Sequence, residues 1–329
     1  MIYRTLGRTG IRVSALAFGA GPVSGLMTGD DEAAQIATLQ KAIDLGINWI
    51  DTAAGYGLGK SEFSIGRALR AIRSIDSRFV SDAPTHPSAL PPKRGEREFE
   101  LHIATKVRLE LDQLNDIKGA IRRSVEASLG RLGVSSVTLL QLHNGLTANQ
   151  SDEAYSITPS DVLRQNGVLD TFRDLRDEGL IHHLGLTGTG QPDAMREVVG
   201  SGGFDTIQVP YHLLNPSAGQ IIPAEFRETN YGNIIADCAA MNMGVFAIRV
   251  FAAGALLGNE PSAHTHKTPF FPLDLYLRDR QRATQISQGK SLKETALKFV
   301  LNDARVHGAI IGFGAPEQVE ELYGIVKAV

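Results

Sequence analysis

Three consecutive stretches decide the fold: His102-Ile-Ala-Thr-Lys106, an amphipathic segment over residues 116–130, and Val137-Thr-Leu-Leu-Gln-Leu142. The middle segment has apolar residues at every fourth position, the spacing of a buried stripe on a helix. These residues are Ile117, Ile121, Val125 and Leu129. Two short apolar runs joined by a helix are typical of parallel strands with a crossover connection. The stretch therefore predicts one β–α–β unit.

The same alternation runs along the chain. Eight short runs rich in apolar residues predict strands at residues 15–18, 47–51, 102–106, 137–142, 181–186, 206–209, 244–250 and 309–311. Predicted helices follow them at residues 31–45, 61–71, 116–130, 168–178, 192–201, 234–241, 291–302 and 317–326. Eight such units indicate an α/β fold with a parallel sheet closed into a (β/α)8 TIM barrel.

Other segments lie outside this repeat. Residues 3–6 and 11–13 flank Gly7-Arg-Thr-Gly10, which predicts an N-terminal β-hairpin that plugs the bottom of the barrel. Residues 74–100 and 259–272 have no clear period and are predicted as long loops, which in compact domains are usually binding or mobile elements. Because no internal repeat or linker divides the chain, residues 1–329 are interpreted as one domain.

Composition narrows the classes of function. The chain has 33 basic and 36 acidic residues, a near balance that gives no reason to expect nucleic acid or an anionic membrane as a partner. Cys238 is the single cysteine, so no internal disulfide forms. The N-terminus lacks the apolar core of a signal peptide, and the most apolar window, residues 243–258, is too short to span a bilayer. We expect a cytoplasmic protein.

Ionisable residues stand at the ends of three predicted strands. Asp51, Lys106 and His143 each close or directly follow a strand, and Tyr56 lies five residues after Asp51. In a parallel barrel all carboxyl ends of strands open on the same face, where active sites are found. A buried carboxylate and a buried ammonium are costly unless they pair, so we expect contact between Asp51 and Lys106.

These four residue types suit proton transfer to a carbonyl oxygen. The pKa of tyrosine, near 10, is too high for easy exchange, and a neighbouring ammonium stabilises the phenolate. Tyr56 is thus a candidate general acid and base, His143 an orienting group, and Asp51 the partner that keeps Lys106 protonated. Each also has an ordinary structural interpretation: a cap, a rim ion pair, a loop aromatic and a buried histidine. Their coincidence on one rim favours a functional set.

The string Gly46-Ile-Asn-Trp-Ile-Asp51-Thr-Ala-Ala-Gly-Tyr56-Gly, followed by Ser61-Glu62 and Gly66, resembles the first signature of the aldo-keto reductases. Residues 3–10 and 124–132 are also similar to this family, and the likeness runs from about residue 2 to 325. The family's catalytic tetrad is carried over to Asp51, Tyr56, Lys106 in Ala-Thr-Lys-Val, and His143 in Leu-Leu-Gln-Leu-His-Asn.

The resemblance implies a nicotinamide dinucleotide, NAD(P)(H), held extended and without a Rossmann fold, and it implies no metal. Gly188-Thr-Gly190 is accordingly not a dinucleotide fingerprint, and it lacks the third glycine. The nicotinamide end, the loop at residues 249–256 around the pyrophosphate, and the adenosine end at residues 312–321 supply the implied contacts. They are Gly21, Asp51, Thr187, Gly188, Gln208, Arg249, Gly254, Leu256, Gly312, Gly314, Gln318 and Glu321, with backbone N–H groups of Gly254 and Leu256 facing the pyrophosphate.

One departure concerns the choice between the two cofactors. NADP-specific members carry lysine and arginine for the 2′-phosphate where this chain has Gly312 and Gln318. A phosphate without cationic partners gains little over its hydration. The sequence therefore leans to NAD or dual use, unless a basic residue from another loop supplies the contact.

The substrate class is a small aldehyde, ketone or sugar. Gly185-Leu-Thr-Gly188 and residues 248–256 resemble the galactose and aldose dehydrogenase branch, which oxidises the anomeric carbon, although drift in loops that make no contact accounts for them equally well. Two other hypotheses stay open: a regulatory subunit resembling the potassium-channel β subunits, and a Schiff-base lyase using Lys106. Neither the substrate nor the oligomeric state is determined by the sequence, because specificity resides in the loops.

Overall fold

Eight parallel strands close into a barrel. The computed structural model describes residues 1–75, 100–269 and 272–328. Each barrel strand pairs with the next one along the chain, and the last pairs with the first. The strands are β3 (Leu16–Gly19), β4 (Trp49–Asp51), β5 (His102–Val107), β6 (Val137–Leu142), β7 (Ile181–Thr187), β8 (Thr206–Pro210), β9 (Gly244–Ile248) and β10 (Gly308–Gly312). The predicted (β/α)8 barrel is confirmed.

Barrel strands are apolar because both faces are covered. Every residue of β5 and β6 is buried, one face toward the barrel interior and the other toward the helices. The interior is filled by side chains from several strands, including Trp49 and Phe246, whose ring centroids lie 4.8 Å apart. The interior is therefore a packed core, and the open space lies at the carboxyl rim.

The N-terminal hairpin closes the opposite end. Strands β1 (Tyr3–Thr5) and β2 (Arg12–Ser14) pair antiparallel. Between them, the N–H of Arg8 donates to the carbonyl of Asn242 at 2.7 Å, and Leu6 is fully buried in the interior cluster. Since Asn242 precedes β9, the hairpin covers the amino ends of the strands, as predicted.

Ten α-helices are present in the described parts of the chain, and eight of them were predicted. They are α1 (Glu32–Asp44), α2 (Lys60–Ile75), α3 (Ile117–Leu132), α4 (Pro159–Leu163), α5 (Val168–Asp177), α6 (Pro192–Gly200), α7 (Ile234–Ala240), α8 (Leu273–Ser287), α9 (Lys293–Leu301) and α10 (Pro316–Lys327). Helices α4 and α8 were missed. Helix α8 buries only Tyr276, Asp279 and Ala283 and is otherwise strongly polar, so its apolar period is weak.

The two predicted loops have different outcomes. The first, at residues 74–100, begins inside α2, and residues 76–99 lie outside the described residues. In the second, residues 259–269 form neither helix nor strand, as expected, while residues 270–271 are not described. No helix in the described ranges is both long and apolar enough to cross a membrane.

Candidate active site

The barrel brings the four predicted catalytic residues to one rim. Asp51 is the last residue of β4, Lys106 lies near the end of β5, and His143 directly follows β6. Tyr56 lies in the turn between β4 and α2. All four line one cavity, so residues far apart in sequence share the same space.

Lys106 contacts two of the other three residues, Asp51 and Tyr56. Its Nζ lies 2.5 Å from Asp51 Oδ1, 2.9 Å from the carbonyl oxygen of Thr52 and 3.3 Å from Tyr56 Oη. Both Lys106 and Asp51 are almost fully buried. The expected ion pair is thus present, and it directly adjoins the tyrosine hydroxyl.

The second carboxylate oxygen of Asp51 accepts from two amides. Gln141 Nε2 lies 3.2 Å from Asp51 Oδ2, and Gln208 Nε2 donates to the same oxygen. Gln208 was expected to hold the nicotinamide amide, and here its Nε2 is already engaged. Gln141 was missed, although it lies two residues before His143 on β6, and alternate residues of a strand share a face.

Burial and charge set the protonation of the four groups. Burial lowers the pKa of Lys106, but the charges of Asp51 and Tyr56 and the hydrogen bonds to both outweigh burial, so its pKa is raised and the ammonium persists. Burial raises the pKa of Tyr56 above its usual value, and Lys106 opposes that increase only in part. The sequence argument counted the effect of the lysine and not that of burial. Tyr56 is therefore a protonated phenol at neutral pH.

His143 is a neutral imidazole. Burial, and then the charges of Lys106 and Arg108, hold its pKa well below the usual value. Its ring meets that of Tyr56 edge to face, with centroids 5.6 Å apart. A neutral imidazole presents one donor and one acceptor, so it can donate to a carbonyl oxygen placed beside the phenol.

The first turn of α2 is anchored to the strands that carry the site. Ser61 Oγ donates to the carbonyl of Ala20 at 2.9 Å and lies 2.8 Å from Thr52 Oγ1. The fully buried Glu62 accepts from Thr105 Oγ1, and from Arg131 Nε at 2.7 Å. Thr105 precedes Lys106 in β5, and the carbonyl of Thr52 accepts a hydrogen bond from Lys106. Because Ser61 and Glu62 contact these two threonines, this pair in the signature helps to position Lys106.

The four predicted catalytic residues line a cavity of about 780 Å³ that reaches β10 and α10. Ten of the twelve implied cofactor contacts line it: Gly21, Asp51, Thr187, Gln208, Arg249, Gly254, Gly312, Gly314, Gln318 and Glu321. Gly188 and Leu256 are not in its wall. Residues after β3 that sequence reasoning left out, such as Pro22 and Ser24, also line it, and their position beyond the end of a strand was the available signal.

Gly188 faces the neighbouring strand and not the cavity. Its N–H donates to the carbonyl of Gln208 at 2.7 Å, and a Cβ on it would lie 2.6 Å from a methyl of Val209. Thr187 does line the cavity, and its buried Oγ1 has no hydrogen-bond partner among the described residues. An unsatisfied hydroxyl at this point fits an amide group, which is the nicotinamide end of the expected cofactor.

The expectation for the pyrophosphate loop needs correction. The N–H groups of Gly254 and Leu256 both donate to the carbonyl of Phe251, at 2.9 and 3.2 Å. Leu256 is buried in a cluster with Tyr276 of α8. These two N–H groups are therefore engaged within the loop, and Leu257, in place of Leu256, lies in the cavity wall.

The part of the cavity expected to hold the adenosine contains a basic residue that the sequence argument did not find. Four basic side chains line the cavity within the described ranges, and Lys293 at the start of α9 is the one beside α10. Its Nζ pairs with Glu321 Oε2 at 2.6 Å. Gln318 accepts from the N–H of Gly314 at 2.7 Å. Lys293 opens a helix and ends no strand, so no strand-end signal marked it.

A family model, the Aldo/keto reductase family, matches residues 15–329. This chain belongs to the aldo/keto reductase family. It is therefore an NAD(P)-dependent oxidoreductase. Among curated relatives, it is 28% identical to D-threo-aldose 1-dehydrogenase from Pseudomonas sp, with 95% of this chain and 89% of the relative covered. It is 24% identical to L-galactose dehydrogenase from Arabidopsis thaliana, with 97% and 86% covered.

Solved structures agree on the fold. An aldo-keto reductase from Bacillus halodurans, 22% identical, superposes with a TM-score of 0.67 over 100% of this chain and 92% of that one. A glycerol dehydrogenase from Gluconobacter oxydans, 23% identical, gives a TM-score of 0.64 over 98% and 89%. Both likenesses support the barrel described above.

Proposed function

We propose that this enzyme interconverts a carbonyl and an alcohol with Tyr56 as the general acid and base. The observation that carries the proposal is the position of Lys106 Nζ, which lies 2.5 Å from Asp51 Oδ1 and 3.3 Å from Tyr56 Oη. A cation fixed by a buried carboxylate stabilises the phenolate that remains once the tyrosine has lost its proton. The bound nicotinamide cofactor supplies or takes up the hydride.

Proton transfer then follows from the protonation states. In reduction, the phenol of Tyr56 gives its proton to the carbonyl oxygen as that oxygen becomes a hydroxyl, and the resulting phenolate is held by Lys106. In oxidation, Tyr56 first loses its proton to solvent, and the phenolate that Lys106 stabilises then accepts the hydroxyl proton. The neutral His143 donates a hydrogen bond to the same oxygen and orients the reacting carbon. Asp51 keeps Lys106 charged and positioned throughout.

The residues of the cavity fit an extended dinucleotide. The unsatisfied hydroxyl of Thr187 stands at the catalytic end, where we place the amide, and Gly312, Gln318 and Glu321 stand at the far end, where we place the adenosine. We propose that residues 1–329 form a single domain, and the position of the whole path within one barrel supports this proposal.

We further infer that the enzyme uses NAD, or both NAD and NADP, as the sequence suggested. The basic residue at the adenosine end, Lys293, is already paired with Glu321. A ribose hydroxyl can donate to that carboxylate, whereas a 2′-phosphate would meet its negative charge. The pair therefore favours NAD or dual use.

Sugars are the substrate class we propose first. The curated relatives include proteins named for an aldose and for L-galactose, and both align along nearly the whole chain. With a cyclic aldose, transfer of the C1 hydride to the oxidised cofactor and of the anomeric hydroxyl proton to the phenolate of Tyr56 would give the lactone.

A substrate panel tests the proposed function. Aldoses and small aldehydes are mixed with each reduced or oxidised nicotinamide, and absorbance of the reduced form is followed. We expect turnover of at least one carbonyl–alcohol pair that is lost in Tyr56→Phe. Absence of turnover across the panel, with cofactor binding intact, would contradict the proposal and favour a regulatory role.

A further inference from the structure

A second cavity, of about 340 Å³, lies on the same rim of the barrel. It shares Thr189 and Arg249 with the wall of the catalytic cavity. Its other walls come from loops that follow β6, β7 and β8 and from α8. Its principal polar side chains are Glu153, His212, Asn215, Glu228, Tyr231, Arg249 and Asp279.

His212 is a buried side chain with unmet hydrogen-bonding capacity. Only 3% of the residue is exposed, and its Nδ1 has no hydrogen-bond partner within the described ranges. Burial, and then the charges of Arg249 and Arg282, lower the pKa of His212 to about 3, so the ring is neutral. A buried polar atom without a partner is costly, and a polar ligand in the cavity would relieve that cost.

Two carboxyl groups of the cavity wall, those of Asp279 and Glu228, lie beside the same arginine. Asp279 of α8 is 2% exposed, and its nearest cation is Arg282 at 3.4 Å. Arg282 also binds Glu228, at 3.0 Å, and Glu228 pairs with Arg278 as well. Burial, and then the charge of Glu228, raise the pKa of Asp279 to about 6. Asp279 is thus an incompletely neutralised acceptor that a ligand hydroxyl would stabilise.

These groups select one ligand chemistry. Glu228 and Asp279 accept hydrogen bonds, Arg249 donates them, and the Tyr231 hydroxyl does both. An anion would be repelled by the carboxylates in the cavity wall, and an alkyl chain would leave the buried Nδ1 of His212 without a partner. A neutral molecule with several hydroxyl groups satisfies both kinds of partner.

Arg249 connects the two cavities. It directly follows β9 and adopts a left-handed backbone conformation, with φ of 57°, that is uncommon for a residue other than glycine. Its charge acts on Tyr56 in one cavity and on His212 in the other. Strained backbone of this kind is concentrated at functional sites.

We propose that the second cavity is a hydroxyl-binding subsite, which holds the polyol end of an aldose-like substrate while the carbonyl carbon lies at Tyr56. This inference rests on the proposed function, since it assumes that the first cavity performs the carbonyl chemistry. It assigns specificity to Asp279, Glu228 and His212, which make no contact with the tetrad.

The test compares two aldehydes that differ in hydroxyl groups. For wild type, Asp279→Asn and Glu153→Gln, kcat/KM is measured with xylose and with propanal. Comparing variants with the same sugar cancels its small open-chain fraction. We expect Asp279→Asn to lower the xylose-to-propanal ratio about tenfold, the effect of about 1.4 kcal/mol lost in a hydrogen bond to a charged group. Glu153→Gln, at the exposed edge of the cavity, should lower it severalfold without risk to folding.

A matched control and a binding measurement separate the outcomes. Asp274 lies on the same helix but is exposed, so Asp274→Asn should leave kcat/KM unchanged for both substrates. Calorimetry of xylitol with the complex of protein and reduced cofactor reports the subsite without turnover, and its Kd should weaken about tenfold in Asp279→Asn. An unchanged ratio, or no xylitol binding to wild type, overturns the subsite alone. If the wild type turns over neither propanal nor xylose while xylitol still binds, the proposed function is overturned and the binding subsite is retained.

Discussion

Asp51 receives three side-chain donors at the centre of the site. Lys106 approaches one carboxylate oxygen, and Gln141 and Gln208 donate to the other. The hydrogen-bonding capacity of this buried carboxylate is thereby met, and the carboxylate in turn positions the ammonium that adjoins Tyr56. At the scale of single residues, function depends on this compensation of one buried charge by its neighbours.

Lys106→Met tests that compensation. Removing the ammonium leaves Asp51 buried without its cation, a loss that in buried pairs costs about 3–5 kcal/mol. We expect a fall in the free energy of unfolding of that order, measured by urea denaturation, together with loss of turnover. Lys293→Met makes the same chemical change in a partly exposed pair and should cost less than about 1 kcal/mol. Equal stability of the two variants would contradict the buried pair.

Sequence reasoning identified the site residues that lie at the ends of strands, and it missed others for physical reasons. Asp51, Lys106 and His143 were placed together because parallel strands open on one rim. Gln141 points into the barrel from within a strand, and Lys293 enters the cavity from a helix, so neither had a signal at a strand end. The engaged N–H of Gly254 depends on the conformation of its loop, which composition does not determine.

At the scale of elements, the strength of the apolar pattern determines which strands and helices can be predicted from the sequence. The barrel strands were predicted because both of their faces are buried, which makes their sequences continuously apolar. Helix α8 packs on the loop at residues 252–257 and buries few side chains, so its sequence is mostly charged. Helix α4 has only five residues, which is too few for a helical pattern of apolar residues to be recognised in the sequence.

The hairpin plug offers a test at the same scale. Gly7 has a φ of 47°, and a Cβ there would lie 2.4 Å from the backbone nitrogen of Gly244. Gly10, in the same turn, has a φ of 73° and no atom within 4 Å of that position. We expect Gly10→Ala to cost about 1–2 kcal/mol through backbone strain alone, and Gly7→Ala to cost several kcal/mol more. Thermal and urea unfolding measure the difference, and similar losses for the two would show that the hairpin does not press against β9.

At the scale of the whole molecule, the cofactor path joins the barrel rim to the last two helices. Its catalytic end depends on β4, β5 and β6, and its adenosine end on β10, α9 and α10. We therefore propose that Lys293, Gln318 and Glu321 select the cofactor at a distance from the reacting groups, and we expect substitutions there to leave Tyr56 undisturbed.

Cofactor preference can be measured directly by quenching of Trp49, the single tryptophan. We expect wild type to bind NAD no more than about tenfold more weakly than NADP, a gap of about 1.4 kcal/mol. Gln318→Arg should tighten NADP specifically, because a guanidinium bonds the extra phosphate, and the gain should shrink with added salt. Gln318→Met removes the bond to Gly314 without adding charge and serves as the control. A wild type that prefers NADP a hundredfold would mean that a basic residue, Lys293 foremost, already binds the phosphate.

The central claim is that the barrel gathers Tyr56, Lys106 and His143 so that the phenol exchanges a proton with the substrate oxygen. The most direct test is the single-turnover rate of Tyr56→Phe, with the complex of protein and reduced cofactor mixed rapidly with an aldehyde that the wild type reduces. The ring is kept and only the transferable proton is lost, so we predict a rate at least about 10²-fold lower with cofactor affinity little changed. Tyr323→Phe, the same change on α10, should react as wild type does. A Tyr56→Phe rate within a few fold of wild type would contradict the account.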